Sequence, residues 1–370
     1  MNWWTLPGPR SFIDAVIEDI REGKSVFICL PEFCPVRVST CVQEGIQDDL
    51  GWISTSAEPD ASPLDFLYDL VAADADPRQL RSVATLAALE GFHNKAIWLD
   101  EIPAPAWDAW LQFFTEYERV SRSIPESRRS CFAVRMSGHS ATLPIPAAAG
   151  LSVRRWDGWL KRHDMRLYSA GQVQERRTGL ETDLATAIVT VLGGWDPELC
   201  EYLAGFELPE LLRPSDLLRK FAENRGWKLG EAVLDEQAWQ RGLWQTYLGK
   251  HQAHTCFAVV LNGSRYLDGL LWRAEIGVLM PYIEEQRQQL IEHNRSLLKL
   301  PFYTKFGAID DVYDLEIGMI EFLLARSGAC TNTFLQYVGK LREARNQIAH
   351  LAPVDPELML DLCRSNQVLA

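Results

Sequence analysis

Apolar positions recur along this chain with two different periods, and the change of period divides it. Between Ser11 and Gly23 the residues Phe12, Val16, Ile17 and Ile20 return every three to four places, which predicts a helix, and Gly23 stands where a helix stop belongs. Ser25 to Leu30 is instead a continuous apolar run closed by Pro31, the pattern of a strand buried on both faces. Ala96 to Ile102, AIWLDEI, and Cys131 to Met136 repeat that pattern. Between them a helix from about Ala106 to Val120 aligns Trp107, Trp110, Leu111 and Phe114. Strands alternating with helices predict a parallel sheet covered on both sides.

Beyond this the helical period takes over. The proline- and alanine-rich stretch Ala141 to Gly150 reads as a connection inside the first domain. Leu180 to Leu192 predicts a helix with Leu184, Ile188 and Val189 inward, stopped by Gly193-Gly194, and Asp196-Pro197 supplies the cap and first residue of the next. From about Tyr266 a stripe of Leu271, Trp272, Ile276, Leu279, Met280, Ile283 and Leu290 faces a wet side of Glu284, Glu285, Arg287 and Gln288. A second helix is expected over Asp311 to Arg326, with Leu315, Met319, Ile320, Phe322 and Leu323 apolar. A third runs from near Thr333 through Phe334, Leu335, Val338 and Leu341 into Arg345, and a fourth starts at Asp355 and carries Leu358, Met359, Leu360 and Leu362. Four helices with short connections predict a bundle. The fold class is therefore α/β plus all-α, in three parts: 1–175, 176–264 as a helical lid or connector, and 265–370.

Composition narrows the functions. A chain of 370 residues, 47% hydrophobic, has the apolar content for two domains, and 13 tryptophans point to aromatic cores and to partner surfaces. A net charge of −13 excludes a surface that is a nucleic-acid footprint as a whole, while a local basic patch is still allowed. The 8 cysteines are scattered with no CxxC pair, so buried free thiols are expected rather than a zinc site or a disulfide framework. His251 and His254 have a spacing that would place two imidazoles on one helical face, but nothing completes a metal site and cap or surface roles are expected. No apolar run approaches the roughly 20 residues a bilayer demands. The opening MNWWTLPGPR lacks the parts of a signal peptide, so a cytoplasmic protein with no membrane partner is expected.

The order of parts in the first half resembles that of P-loop ATPases of the AAA or STAND kind, and AIWLDEI looks like their magnesium-holding strand, which makes Asp100 and Glu101 the candidate cofactor-binding pair. The alternative for both is to solvate a strand end or cap the next helix. The phosphate loop such chemistry needs is missing. Gly23-Lys24-Ser25 precedes the strand instead of following it, and Glu18 stands where the first loop glycine should be. Pro31 to Arg37, which does follow it, has neither glycine nor lysine and contains Glu32, which would repel a triphosphate. A degenerate domain without ATP hydrolysis, and no cofactor, is expected.

In the last hundred residues, Leu341 to Leu351 looks like the HEPN signature, an Arg, a polar residue and a His a few positions on: Arg345, Asn346 and His350. DLEIGMIEFLL resembles the helix beside it in Swt1-type HEPN domains. In active members two such motifs meet at a dimer interface and cut RNA without metal. Carried over, Arg345 would stabilise the phosphorane, His350 would move the proton of the 2′-hydroxyl, and Asn346 would orient. Other HEPN domains keep the motif as a scaffold. The pairing of the two domains resembles subunits of prokaryotic anti-phage systems. The leading expectation is a non-hydrolysing, protein-interacting component of such a defence complex, its helical domain used for assembly or for sensing, with other protein subunits as partners. The alternatives are a metal-independent endoribonuclease, homodimeric through its helical domain and acting on RNA, and an ATPase.

Overall fold

Ser25–Leu30 forms β1, every residue of it buried, and it is the second strand from one edge of a parallel sheet. The computed structural model of the protein describes residues 2–71, 80–125, 128–174, 178–228 and 235–365. Two compact units account for the chain: Asn2–Asp164 with Ala232–His254, and Met165–Glu231 with Thr255–Ala370. The expected boundary at 175 lies outside the described residues. The stretch 176–264 is divided between the units, because 232–254 belongs with the α/β part.

In the α/β unit the five strands β1, β2 (Gly51–Thr55), β3 (Lys95–Leu99), β4 (Cys131–Ser137) and β5 (Leu151–Arg155) lie in the order β2-β3-β4-β1-β5, all parallel. Val26 stands opposite Ala133 on one side and Ser152 on the other, and Ile97 is opposite Phe132. Neighbouring β1 residues point to opposite faces, yet Val26 and Phe27 are both fully buried, so each face is covered. Helix α1 (Pro7–Arg21) packs on β1, β4 and β5 and against α2 (Val38–Ile46). Helices α3 (Pro63–Val71), α4 (Val83–Ala88) and α5 (Trp107–Ser121) form a second group. Phe114 of α5 meets Phe27 edge-on at 5.2 Å, and Phe113, Phe114 and Tyr117 surround Phe132 at 5.2–5.6 Å.

The two strands the periodicity misses, β2 and β5, are the sheet edges, only half-buried and therefore mixed in composition. A hairpin, β6 (Trp244–Tyr247) and β7 (Lys250–Ala253), completes this unit. It turns through Leu248 and Gly249, both at positive φ (53° and 73°), as a two-residue hairpin loop requires. His251 lies on β7 and His254 follows it, so the two share no helical face. His251 leans edge-on against Trp244 at 4.8 Å, and His254 is buried.

The second unit includes α6 (Gly179–Gly193), α7 (Pro197–Ala204), α8 (Ser215–Asn224), α9 (Ser264–Asn294), α10 (Ile317–Ser327), α11 (Asn332–Ala349) and α12 (Pro356–Ser365), with further short helices between them. Asp196 caps α7 through Oδ1, which accepts from Glu198 and Leu199 N–H at 3.0 and 3.3 Å, with Pro197 first in the helix as expected. The helix expected from Asp311 begins six residues later. Arg287, assigned to the wet face of α9, instead donates to the carbonyls of Tyr313 and Leu315 at 2.8 and 3.0 Å, which takes up acceptors a longer helix would use. Val312–Asp314 makes one 3-10 turn there. On α9, Met280 is exposed, and Glu275 and Gln286 occupy buried positions among the apolar stripe. A short hairpin, β8 (Phe302–Thr304) and β9 (Gly307–Ile309), precedes that turn. Among the described residues no helix is long and apolar enough to cross a membrane.

Candidate functional site

Open parallel sheets bind ligands beyond the carboxyl ends of their strands, where the strand order sends successive connections to opposite sides. In this sheet that place is around β1, from which the chain leaves for the far edge strand β2 and on whose other side β5 later docks. Asp100 and Glu101 follow β3, separated from β1 by β4. Asp100 is tied up: its Oδ1 pairs with the Arg135 guanidinium of β4 at 3.1 Å and accepts from Trp98 Nε1 at 3.3 Å. Glu101 is exposed, and its carbonyl accepts from Ala57 N–H at 3.3 Å. The decoy Lys24 lies at the amino end of β1, the opposite end from any such crevice, and pairs with Glu22 at 2.5 Å and Asp19 at 3.5 Å.

The loop after β1 is occupied by protein. Glu32 N–H donates to the Gln240 carbonyl at 2.6 Å, and Gly242, at φ 70°, comes so close that an added Cβ would stand 3.3 Å from the Glu32 carbonyl oxygen. Gln240 Nε2 also donates to Thr142 Oγ1 and to the His139 carbonyl, in the turn that follows β4. At the end of β5, Arg155 lies 3.7 Å over the Trp239 ring and pairs with Glu236. Two residues on, Asp157 receives Thr246 N–H at 2.7 Å and Thr246 Oγ1 at 3.1 Å. One segment, the one-turn helix Glu236–Gln240 and strand β6, thus grips the carboxyl ends of β4, β1 and β5, and Trp239 is fully buried within it.

In the helical unit, Arg345 and Asn346 lie in the last turn of α11 and His350 is its C-cap, its N–H donating to the carbonyls of Asn346 and Gln347 at 3.0 and 3.1 Å. Asn346 and His350 are exposed, and the chain turns away at Leu351, φ 61°. Arg345 reaches a groove of about 290 Å³ lined by Met280, Glu284, Arg287, Asp314 and Glu316, and it pairs with Glu316 at 3.2 Å. Neither Asn346 nor His350 lines that groove. The end of α11 is held from α9: Trp272 Nε1 donates to the Ile348 carbonyl at 2.9 Å, and Glu275 Oε2 accepts Val354 N–H at 2.7 Å. Glu275 is fully buried, its Oε1 has no hydrogen-bond partner among the described residues, and burial pushes its carboxyl up to about 8 despite the Val354 hydrogen bond.

No family model matches this chain, and no curated protein is similar to it. Chemical capacity has to be read from the geometry alone. Among the described residues no group of three His, Cys, Asp or Glu side chains is placed to hold a metal. Six cysteines are buried, and Cys29, Cys131, Cys200 and Cys363 have thiols that burial pushes up to about 12, which makes them poor nucleophiles. Sequence reasoning missed the segment 235–247 and Glu275. The first carried only a weak mark, Gly249 after Leu248, since the run Lys250–Ala253 shows no apolar alternation. The second carried none, because a glutamate beside a helical stripe reads as solvated.

Proposed function

We propose that the protein is a non-hydrolysing, protein-interacting subunit of a prokaryotic defence complex, its α/β part a degenerate P-loop-like scaffold and its HEPN-like helical part used for assembly. The strand order supports the first half of this reading, since the Asp-Glu strand is the second neighbour of β1 across an inserted β4. The observation that carries the whole is the state of the charged candidates. Asp100 pairs with Arg135 and Arg345 with Glu316, and the groove at Arg345 sets three carboxylates, Glu284, Asp314 and Glu316, against two guanidiniums, Arg287 and Arg345, a net acidic balance that opposes a phosphodiester. Exposed aromatics on the helical unit, Tyr303, Phe306, Tyr313 and Phe322, offer contact area for a protein partner.

The ribonuclease reading has one observation in its favour, the solvent access of Asn346 and His350 at a helix end. RNA cleavage in EDTA by wild type and His350→Ala, with light scattering on the same samples, separates the two. We expect no cleavage by either and unchanged assembly. Cleavage by a wild-type dimer that vanishes in the variant would replace our reading with the ribonuclease one.

A further inference from the structure

We infer that the segment Asp235–Tyr247 is an internal ligand of the α/β unit: it fills, with side chains of this same chain, the crevice at the carboxyl ends of β4, β1 and β5 where a sheet of this order would take a nucleotide. The inference rests on the non-hydrolysing reading above and supplies its physical cause.

Three kinds of contact place the segment there. The Gln240 carbonyl receives Glu32 N–H, an amide of the loop that would have to turn its N–H groups toward a phosphate. The indole of Trp239 lies flat under the Arg155 guanidinium at 3.7 Å, a flat ring stacked on a cation at the end of β5, with Glu236 neutralising the same cation. Asp157 fastens the far end by accepting both the N–H and the hydroxyl of Thr246. The segment closes on itself as well, Trp239 Nε1 donating to Gln245 Oε1 at 3.3 Å and Trp244 Nε1 to the Asp235 carbonyl at 2.6 Å, so it docks as one folded piece. Trp239, Gln240 and Gln245 are all buried. A polar group buried in this way is costly to strip of its partners, so an incoming phosphate would have to replace each of these bonds.

Hydrogen–deuterium exchange on the full chain tests this. In the wild type the amides of Glu32 and Thr246 should be protected, and millimolar Mg-ATP should change neither. Arg155→Ala removes both the ring contact and the ion pair, and should raise exchange at Glu32 and Thr246 together by roughly tenfold, the signature of one cooperative piece opening. Gln240→Ala, which keeps the backbone acceptor, is the milder variant should Arg155→Ala not fold, and should raise exchange in the same pair. A rise confined to residues 151–157, or Mg-ATP binding by the wild type with altered exchange at Glu32, would overturn the inference. ATP bound without turnover would do so while leaving the proposed function intact. RNA cleavage would remove that function while leaving the internal ligand in place.

Discussion

The carboxyl end of the sheet and the carboxyl end of α11 both carry polar residues marked by sequence, and the molecule treats them in opposite ways. At the sheet, polar groups are consumed: Glu32, Thr142, Arg155 and Asp157 are each bonded to one inserted segment, while Asp100, farther along the sheet, keeps a half-exposed pair with Arg135. At α11, Asn346 and His350 stand in solvent, and the one long side chain that finds a partner does so at a half-exposed ion pair. Where a crevice is filled, its residues answer to stability. Where residues are presented, their replacement costs the fold little, so their identity is free to answer to a partner.

Breaking the filled side should give the largest effect. Trp239→Ala removes a fully buried indole and the ring beneath Arg155, and should cost about 3–5 kcal/mol, read as a lower urea midpoint. A loss below about 1 kcal/mol would mean that the segment is lightly attached and that the two regions do not differ in this way.

Glu275 tests the same contrast inside the helical unit, where it is a fully buried carboxyl. Its folded carboxyl titrates at about 8 against 4.5 in the ordinary state, so between these values the folded chain holds a proton that the unfolded chain has released. Its contribution is therefore fully present below about pH 4.5, falls as pH rises through the window, and is gone above about 8. The slope should approach 1.4 kcal/mol per pH unit at most. Glu275→Gln, neutral throughout, should flatten that part of the stability profile when unfolding midpoints are compared at pH 6 and pH 9. An unchanged slope in the variant would assign the pH dependence elsewhere.

How far such features were legible depended on burial. β1 was readable residue for residue because it is buried on both faces, so its apolar run has no interruption. The edge strands GWIST and LSVRR were not, since none of their residues is fully buried and the period dissolves. The candidate residues Asp100, Arg345 and His350 could be named, but their states could not. Whether Asp100 is free or paired depends on Arg135, 35 positions away, and the state of Arg345 depends on Glu316. Helix α10 shows the same limit, its start set by the Arg287 guanidinium on carbonyls 26 and 28 residues further on.

The presented side should yield smaller effects. Glu316→Gln frees Arg345 from a pair whose partners are both substantially exposed, and should change stability by less than about 1 kcal/mol. The same variant sharpens the functional reading, because it removes the ion-pair partner of Arg345 and one of the three carboxylates of its groove. RNA cleavage in EDTA that appears only on this substitution would show the carboxylate to be a brake on a nuclease, whereas continued inactivity agrees with a scaffold.

The smallest effect belongs to the β8–β9 hairpin, where Tyr303 is 76% and Phe306 89% exposed. A ring that is already in water loses almost no burial when it is cut back, so Phe306→Ser should leave thermal unfolding within about 0.5 kcal/mol of wild type. The contact given up is that of the Lys305 ammonium, 4.8 Å from the ring centroid, an exposed contact of small worth. A loss of several kcal/mol would show that Phe306 packs against something in the isolated chain, and the presented surface would then be as occupied as the crevice. An unchanged melting curve would show that the Phe306 ring contributes nothing to the packing of the chain, as the proposed partner-binding surface requires.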